Sequence, residues 1–237
     1  MTSIKDDRGY NQGFAPSTSV RVRMGRRADW IVAEMGAVPG ANVLEIGCGT
    51  GELAHHIAQK TSFQVLGTDV CVPFVKEATE RFQLPNLRYE VVDFNDPKSL
   101  PGQKFDYIVG NGILHHLYHN LDTVFASMQR LLKSGGEIVF LEPNIRNPYI
   151  YFIFSYARFR AMANLEPDEM AFSRKFIIER LVSAEFDNVR ADYKDFLLPG
   201  IPEFLIRPSI VTGTVLEKLP VVRTLAQSLF IRARKPS

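Results

Sequence analysis

Cysteine is scarce in this chain. Its 237 residues hold two, Cys48 and Cys71. A small secreted scaffold stapled by disulfides carries more, at framework-like spacings. That class is therefore excluded, and a reducing, cytoplasmic setting is expected. Long apolar runs are missing as well. The nearest, Tyr149 to Phe159, includes Arg158 and falls well short of the roughly 20 residues a membrane helix needs. Met1 to Gly13 is polar and charged and has no apolar stretch of the kind a secretory signal uses. A strong charge of one sign is also absent: 28 Lys and Arg stand against 26 Asp and Glu, a net charge of +2. A nucleic-acid partner usually announces itself through a clustered basic face, so none is expected. The two small clusters, Arg21, Arg23, Arg26 and Arg27 and then Arg232, Arg234 and Lys235, read as a solvated face and a solvated tail. There is no repeat and no low-complexity segment.

What is present is an ordinary globular composition, 46% hydrophobic and 23% charged, enough for one domain with its own core. Residues 1–18 read as a flexible arm and 19–237 as the domain. Apolar residues recur at helical spacing from Val20 to Met35, and Gly36 with Pro39-Gly40 ends that helix. An alternation follows. Strands are expected at Asn42–Ile46, Phe63–Thr68, Leu87–Val92, Phe105–Gly110 and Gly136–Leu141. Helices are expected between them at Glu52–Lys60, Val72–Phe82 and Leu121–Leu132. Alternating strands and helices imply βαβ units and a parallel sheet covered on both faces. Beyond Glu142 the regularity changes. An aromatic helical stretch is expected over Pro148–Leu165, then a helix at Phe172–Ser183, a strand at Val189–Phe196, an apolar loop at Leu197–Pro208, a helix near Gly213–Leu219 and a strand near Ser228–Ala233. The fold class is therefore α/β, a doubly wound and mostly parallel seven-stranded sheet with an antiparallel C-terminal strand. Lid insertions are expected near 146–170 and 197–212.

The sharpest local signal is Val43-Leu44-Glu45-Ile46-Gly47-Cys48-Gly49-Thr50-Gly51. An apolar strand enters a loop with glycine at alternate positions, and a helix follows. Glycine allows positive φ and a close backbone approach to a ligand at the carboxyl end of a first strand. A dinucleotide loop spaces its glycines G-x-G-x-x-G around a pyrophosphate. Here the third glycine arrives one residue early and Glu45 ends the strand, which suits a ligand carrying a cationic amino group. At the end of the second strand, in Gly67-Thr68-Asp69-Val70, Asp69 is placed to accept two ribose hydroxyls.

Taken with Val91-Val92-Asp93-Phe94, with Phe105 to Gly112 and with Leu131-Leu132-Lys133-Ser134-Gly135-Gly136, this loop resembles the class I S-adenosylmethionine (SAM)-dependent methyltransferases, in their small-molecule and ubiquinone-biosynthesis-like group. The likeness covers roughly residues 26–145, with the four motifs in the family's order. It implies SAM as cofactor and S-adenosylhomocysteine as product. It also implies a cofactor set of Glu45, Gly47, Cys48, Gly49, Gly51, Asp69, Val70, Asp93, Phe94, Gly110 and Asn111. In that set the backbone of Gly47, Cys48 and Gly49 lines the methionine part, and Glu45 acts through water or by orienting the loop. Asp93 takes the adenine amino group and Phe94 offers its N–H to the ring. Gly110 and Asn111 face the methionine and the sulfonium.

Leu114-His115-His116-Leu117 follows the fourth strand, where the family borders its methyl-transfer site. Histidine titrates near neutrality and can take a proton from a nucleophile. The resemblance gives the packing part to His116 and the cavity to His115, as base or as lining. A metal centre from His115, His116 and His119 lacks a carboxylate at ligand spacing nearby, so no metal is expected. Glu142 either orients an acceptor or holds a loop. His55 and His56 are expected at the surface or in packing. The aromatics from Tyr149 to Phe159 are apolar on more than one face and are expected to be largely buried. They and Leu197 to Ile210 suit a small or amphipathic acceptor, with peripheral membrane contact as the sharper reading. A SAM-binding protein without catalysis is the alternative function. An NAD-dependent oxidoreductase is disfavoured by the early third glycine and by Glu45.

Overall fold

The strand before the glycine loop is apolar apart from Asn42 and Glu45, and Val43, Leu44, Glu45 and Ile46 are all buried. A strand covered on both faces belongs at the centre of a sheet. The computed structural model, which describes residues 17–36, 38–94, 100, 102–163, 165 and 169–237, places it there. The seven strands are β1 (Asn42–Ile46), β2 (Gln64–Asp69), β3 (Leu87–Val91), β4 (Phe105–Asn111), β5 (Leu132–Pro143), β6 (Asp187–Lys194) and β7 (Ser228–Arg234), in the spatial order β3-β2-β1-β4-β5-β7-β6. β7 is antiparallel to both its neighbours, and the strands from β3 across to β5 are parallel. The strand order reverses between β1 and β4, so the crevice for a ligand opens above their carboxyl ends.

Helices α1 (Thr18–Glu34) and α2 (Glu52–Lys60) cover one face, where Ile31, Met35, Leu53 and Ile57 meet Val43, Val65, Val109 and Val139. On the other face α4 (Leu121–Leu131) and α7 (Arg174–Ser183) bury Leu121, Phe125, Met128, Ile177 and Leu181 against Leu44, Leu66, Ile108 and Ile138. The helix α3 (Val72–Arg81) packs along β2 and β3. The helix starts are chemically marked. Ser17, Asn147 and Ser173 accept the N–H of Val20, Ile150 and Phe176 as N-caps of α1, α5 (Pro148–Ser155) and α7.

Three departures from the sequence reading have local causes. The aromatic stretch expected as one helix is two, α5 and α6 (Ala157–Met162), broken at Tyr156, which takes an extended φ of −114° and ψ of 124°. Its outer rings are not buried. Tyr151, Phe152, Tyr156 and Phe159 are 41–49% exposed and stack on one another, while Ile150, Ile153 and Phe154 face inward. The loop expected through Pro208 is instead the first half of α8 (Glu203–Leu216), with Pro208 inside it. Pro202 and Glu203 start that helix, and one proline removes one backbone hydrogen bond that the exposed outer face tolerates. The expected arm, residues 1–18, lies outside the described residues except for Ser17 and Thr18, which cap and begin α1.

The N-terminal arginines are not a solvated face. Arg27 is buried. Its Nε donates to Asp195 Oδ2 at 2.9 Å, its Nη1 to Asn111 Oδ1 at 3.0 Å and its Nη2 to Ser228 Oγ. Arg23 Nε reaches the same Asp195 oxygen at 2.8 Å, and Arg26 lies 3.8 Å from the other. Asp195 is fully buried and sits at φ +73° just beyond β6. Burial alone would raise its carboxyl, but Arg27 and Arg23 hold it below its ordinary value. Nor are the C-terminal residues a free tail: Arg232 pairs with Glu34 and Glu137, and Lys235 donates to the carbonyls of Gln129 and Leu132. Removing one partner from a buried ion pair leaves an uncompensated charge. Asp195→Ala should therefore lower unfolding free energy by about 3–5 kcal/mol, measured by urea denaturation, whereas the exposed pair Arg180–Asp122 should be worth at most about 1 kcal/mol.

Candidate active site

The glycine loop leaves β1 through three residues with positive φ: Gly47 at +66°, Gly49 at +51° and Gly51 at +90°. They need glycine for different reasons. A Cβ on Gly47 would lie 2.5 Å from the Ile113 side chain, and one on Gly51 would lie 2.6 Å from the Tyr89 hydroxyl, which itself donates to the Gly51 carbonyl at 2.8 Å. A Cβ on Gly49 would meet nothing within 4 Å. It would project into open space, the cradle a ligand would fill. Gly49 is held from behind, since its N–H donates to Asp69 Oδ2 at 2.9 Å. The other Asp69 oxygen accepts the Cys71 N–H at 2.8 Å. Asp69 thus pins the loop from the end of β2.

Glu45 is buried under this loop. It bonds the backbone N–H of Ala54 in the first turn of α2, a helix whose N-cap Gly51 supplies no side-chain cap. Its Oε2 is buried without a hydrogen-bond partner. Burial pushes the carboxyl up from its ordinary 4.5 to about 8. An orphaned carboxyl oxygen beneath an open glycine cradle fits the amino group of an amino-acid ligand, and so the residues present fit SAM. Cys48 is buried and burial raises its thiol, so it is inert packing.

The remaining expected cofactor residues lie at or just beyond the carboxyl ends of β2, β3 and β4. Val70 follows Asp69. Asp93 lies two residues beyond β3 and is exposed, while Phe94 beside it is buried in the core. Gly110 packs under Phe140 and Ile113. The Asn111 side chain is occupied by α1: its Oδ1 accepts from Arg27 and its Nδ2 lies 3.2 Å from Met24 Sδ.

At the end of β5 stands Glu142, 1% exposed. Its Oε1 accepts the N–H groups of Ile113 and Leu114 at 3.0 and 2.7 Å. Its Oε2 accepts the His115 N–H at 3.3 Å and faces the ring nitrogen Nδ1 of His115 at 2.9 Å. One carboxylate therefore both builds the turn after β4 and fixes the imidazole. With Nδ1 turned to Glu142, Nε2 is the ring nitrogen left to take up or release a proton. It points to Glu169 Oε2 at 3.6 Å, and the Phe154 ring closes one side, edge-on at 5.9 Å. Burial works against the charged form of His115, but the hydrogen bond to Glu142 and the pairing with Glu169 override it and raise its pKa to about 9.

Glu169 has no sequence signal. It lies far from the histidines along the chain and is brought in because residues after it join the end of β5: Phe172 N–H donates to the Pro143 carbonyl, and Met170 N–H to the His115 carbonyl. His116 is not the packing partner expected of it. Its side chain is 30% exposed against 10% for His115, and its Nδ1 lies 3.4 Å from Glu169 Oε1. Leu114 and Leu117 take the packing role instead. His119 stays exposed, His55 stacks on Phe82 and His56 pairs with Asp29.

A family profile described as methyltransferase domain matches residues 43–136. These residues run from the glycine loop through the double histidine to the turn before the straight part of β5. The fold is shared over nearly the whole chain with a chain of the complex between the Haloferax volcanii Trm112 methyltransferase activator and a methyltransferase (TM-score 0.70, 19% identity, 92% of each chain). It is shared as widely with a SAM-dependent methyltransferase from Archaeoglobus fulgidus (TM-score 0.64, 20% identity, 91% and 94%). Residues 43–136 thus resemble a methyltransferase domain, on a fold shared with SAM-dependent methyltransferases. A stretch of 99 residues of the chain is 36% identical to the cyclopropane-fatty-acyl-phospholipid synthase of Escherichia coli K12. That stretch is 41% of this chain and spans a quarter of the synthase.

Two measurements check the glycine-loop half of the candidate site. Gly49→Ala should fold with a loss of about 1–2 kcal/mol for its left-handed backbone, yet weaken SAM binding more than about tenfold by calorimetry, since its methyl fills the cradle. The Glu45 proton, kept in the folded state and released in the unfolded one, makes ligand-free stability fall as pH rises from about 4.5 to about 8. Glu45→Gln removes that slope, and should gain on the order of a few kcal/mol over the parent between pH 5 and pH 8.5 in chemical denaturation.

Proposed function

We propose that the protein transfers the methyl group of SAM to a small or lipid-like acceptor, at an oxygen or an acidic carbon, with His115 as the base and Glu142 as its positioning carboxylate. The observation that carries this reading is the 2.9 Å contact between His115 Nδ1 and Glu142, made by a carboxylate that also holds the backbone of the same turn. A SAM-binding protein without catalysis would have no need of a buried, oriented imidazole there.

When bound, SAM supplies an electrophilic methyl group. The backbone of Gly47, Cys48 and Gly49 would hold its amino-acid part above Glu45, with Gly51, Gly110 and Asn111 around it. Asp69 and Val70 would take the ribose, and Asp93 and Phe94 the adenine. The work left to the chain is alignment and proton removal. The acceptor's acidic O–H or C–H takes the place of Glu169 opposite Nε2. Without that second carboxylate the imidazole no longer holds its proton so tightly, and neutral His115 accepts the acceptor's proton as the nucleophile is released toward the methyl. Glu142 stabilises the imidazolium that results, as a buried carboxylate does for a catalytic histidine elsewhere.

An apolar acceptor is supported by the lid. Phe154 faces His115, and outside it Tyr151, Phe152, Tyr156 and Phe159 form an exposed aromatic cluster. α8 adds Phe204, Val211 and Val215, each more than half exposed. Exposed apolar clusters of this kind mark ligand or membrane contact, and we assign them to a lipid-like acceptor and to the membrane surface that carries it. No helix among the described residues is long and apolar enough to cross a membrane. The name of the Escherichia coli relative, a synthase of a fatty-acyl phospholipid, supports the same class.

The test is release of S-adenosylhomocysteine from SAM over a panel of phenolic, β-dicarbonyl and acyl-phospholipid acceptors. His115→Ala should cost about 10²–10⁴-fold in kcat, and Glu142→Gln should also lower it, both with SAM affinity retained. A His115→Ala enzyme that turns over at the parent rate would refute the assignment.

A further inference from the structure

Three Lewis-basic side chains converge at the acceptor side of this site. The ligand atoms of His115, His116 and Glu169 all lie within 4.8 Å of one another. The His115 Nε2 to Glu169 Oε2 distance is 3.6 Å, and His116 Nδ1 to Glu169 Oε1 is 3.4 Å. These are long for hydrogen bonds, whose donor and acceptor sit at about 2.7–3.2 Å. They are close to the edges of a tetrahedron around zinc, which ligand bonds of about 2.0–2.1 Å make roughly 3.3–3.4 Å long.

The surroundings are those of a built site. The three residues are also held from outside the cluster: Met170 N–H donates to the His115 carbonyl at 3.2 Å, His116 N–H to the Ile113 carbonyl at 3.1 Å, and Arg160 Nη1 to the Glu169 carbonyl at 3.1 Å. His115 and Glu169 are buried, 8% and 4% exposed. The carboxylate on the far nitrogen of His115, Glu142 at 2.9 Å, is the outer partner that metal-bound histidines almost always carry, and it fixes the tautomer that turns Nε2 toward the centre. Two imidazoles and one carboxylate are a donor set for zinc or a similar divalent transition ion, whereas magnesium and calcium prefer all-oxygen sites.

We infer that His115 Nε2, His116 Nδ1 and the Glu169 carboxylate bind one divalent transition-metal ion, with zinc as the fitting ion, and that this ion inhibits methyl transfer by occupying the lone pair the base uses. The binding stands on the cluster's geometry alone, and the inhibition rests on the function proposed above. The metal and the acceptor's proton compete for one nitrogen, so the loaded protein still binds SAM but does not turn over.

The experiment uses the full chain, freed of metal by chelator and dialysed. Zinc chloride is titrated by calorimetry, and cobalt(II) chloride by visible absorption. One equivalent of zinc should bind with micromolar or tighter affinity. Cobalt should give the intense visible bands of a tetrahedral site. His116→Ala and Glu169→Gln should each weaken zinc by at least tenfold, while His119→Ala, a change at an exposed ring outside the cluster, should leave binding unchanged. Added zinc should suppress S-adenosylhomocysteine release from the parent, and chelator should restore it. Absence of saturable one-equivalent binding overturns the site, as does equal binding by the His116 and Glu169 variants. A zinc-loaded enzyme as fast as the metal-free one overturns the inhibition. The two readings fail separately. Zinc binding with an active His115→Ala enzyme refutes the base and keeps the metal site. An inactive His115→Ala enzyme in a parent that binds no zinc does the reverse.

Discussion

The active side of this molecule depends on one buried carboxylate. Glu142, at the end of β5, satisfies three consecutive backbone N–H groups after β4 and one imidazole nitrogen. Those donors would otherwise be orphaned in a water-poor interior, at a cost of about 1–3 kcal/mol each. Neighbouring parallel strands are thus joined at their carboxyl ends by side chain as well as by ladder. Ile113, held by that turn, is also the floor against which Gly47 packs. The acceptor half and the cofactor half of the site consequently share a single support.

The architecture was legible because its signals were local. β1 and α2 fall on the residues that apolar runs and glycine punctuation indicate, and the order of strands follows from βα alternation. The reading lost its footing where tertiary packing overrides local chemistry. Tyr156 splits an aromatic stretch that has no glycine or proline at the break, and Pro208 sits inside a helix because the rest of α8 outweighs one missing donor. The stretch from Tyr149 to Phe159 looked buried because hydrophobicity is visible in sequence and solvent is not.

In the site, the glycines, Asp69 and His115 announce themselves through spacing at strand ends. Glu169 does not. It is one acid in a segment rich in acids, and it reaches the histidines only because Phe172 adds to the end of β5. The arginines of α1 show the opposite error. A basic cluster looks solvated until its counter-ion is known, and Asp195 lies more than 160 residues away along the chain. Pairings of that separation are set by topology, and nothing in the residues nearby records them.

The tie between Gly49 and Asp69 has a thermodynamic side. The loop is already closed by its own hydrogen bonds, to Asp69 from β2 and, through Tyr89, to β3. A ligand entering the cradle therefore does not have to order the chain that receives it, and the entropy of loop closure is settled at folding instead of at binding. Cofactor exchange becomes an encounter with a rigid surface, its speed set by diffusion and orientation and not by a conformational step. In the reaction we propose, whatever moves is left to the acceptor side, where Glu169 gives up its place before a substrate faces His115.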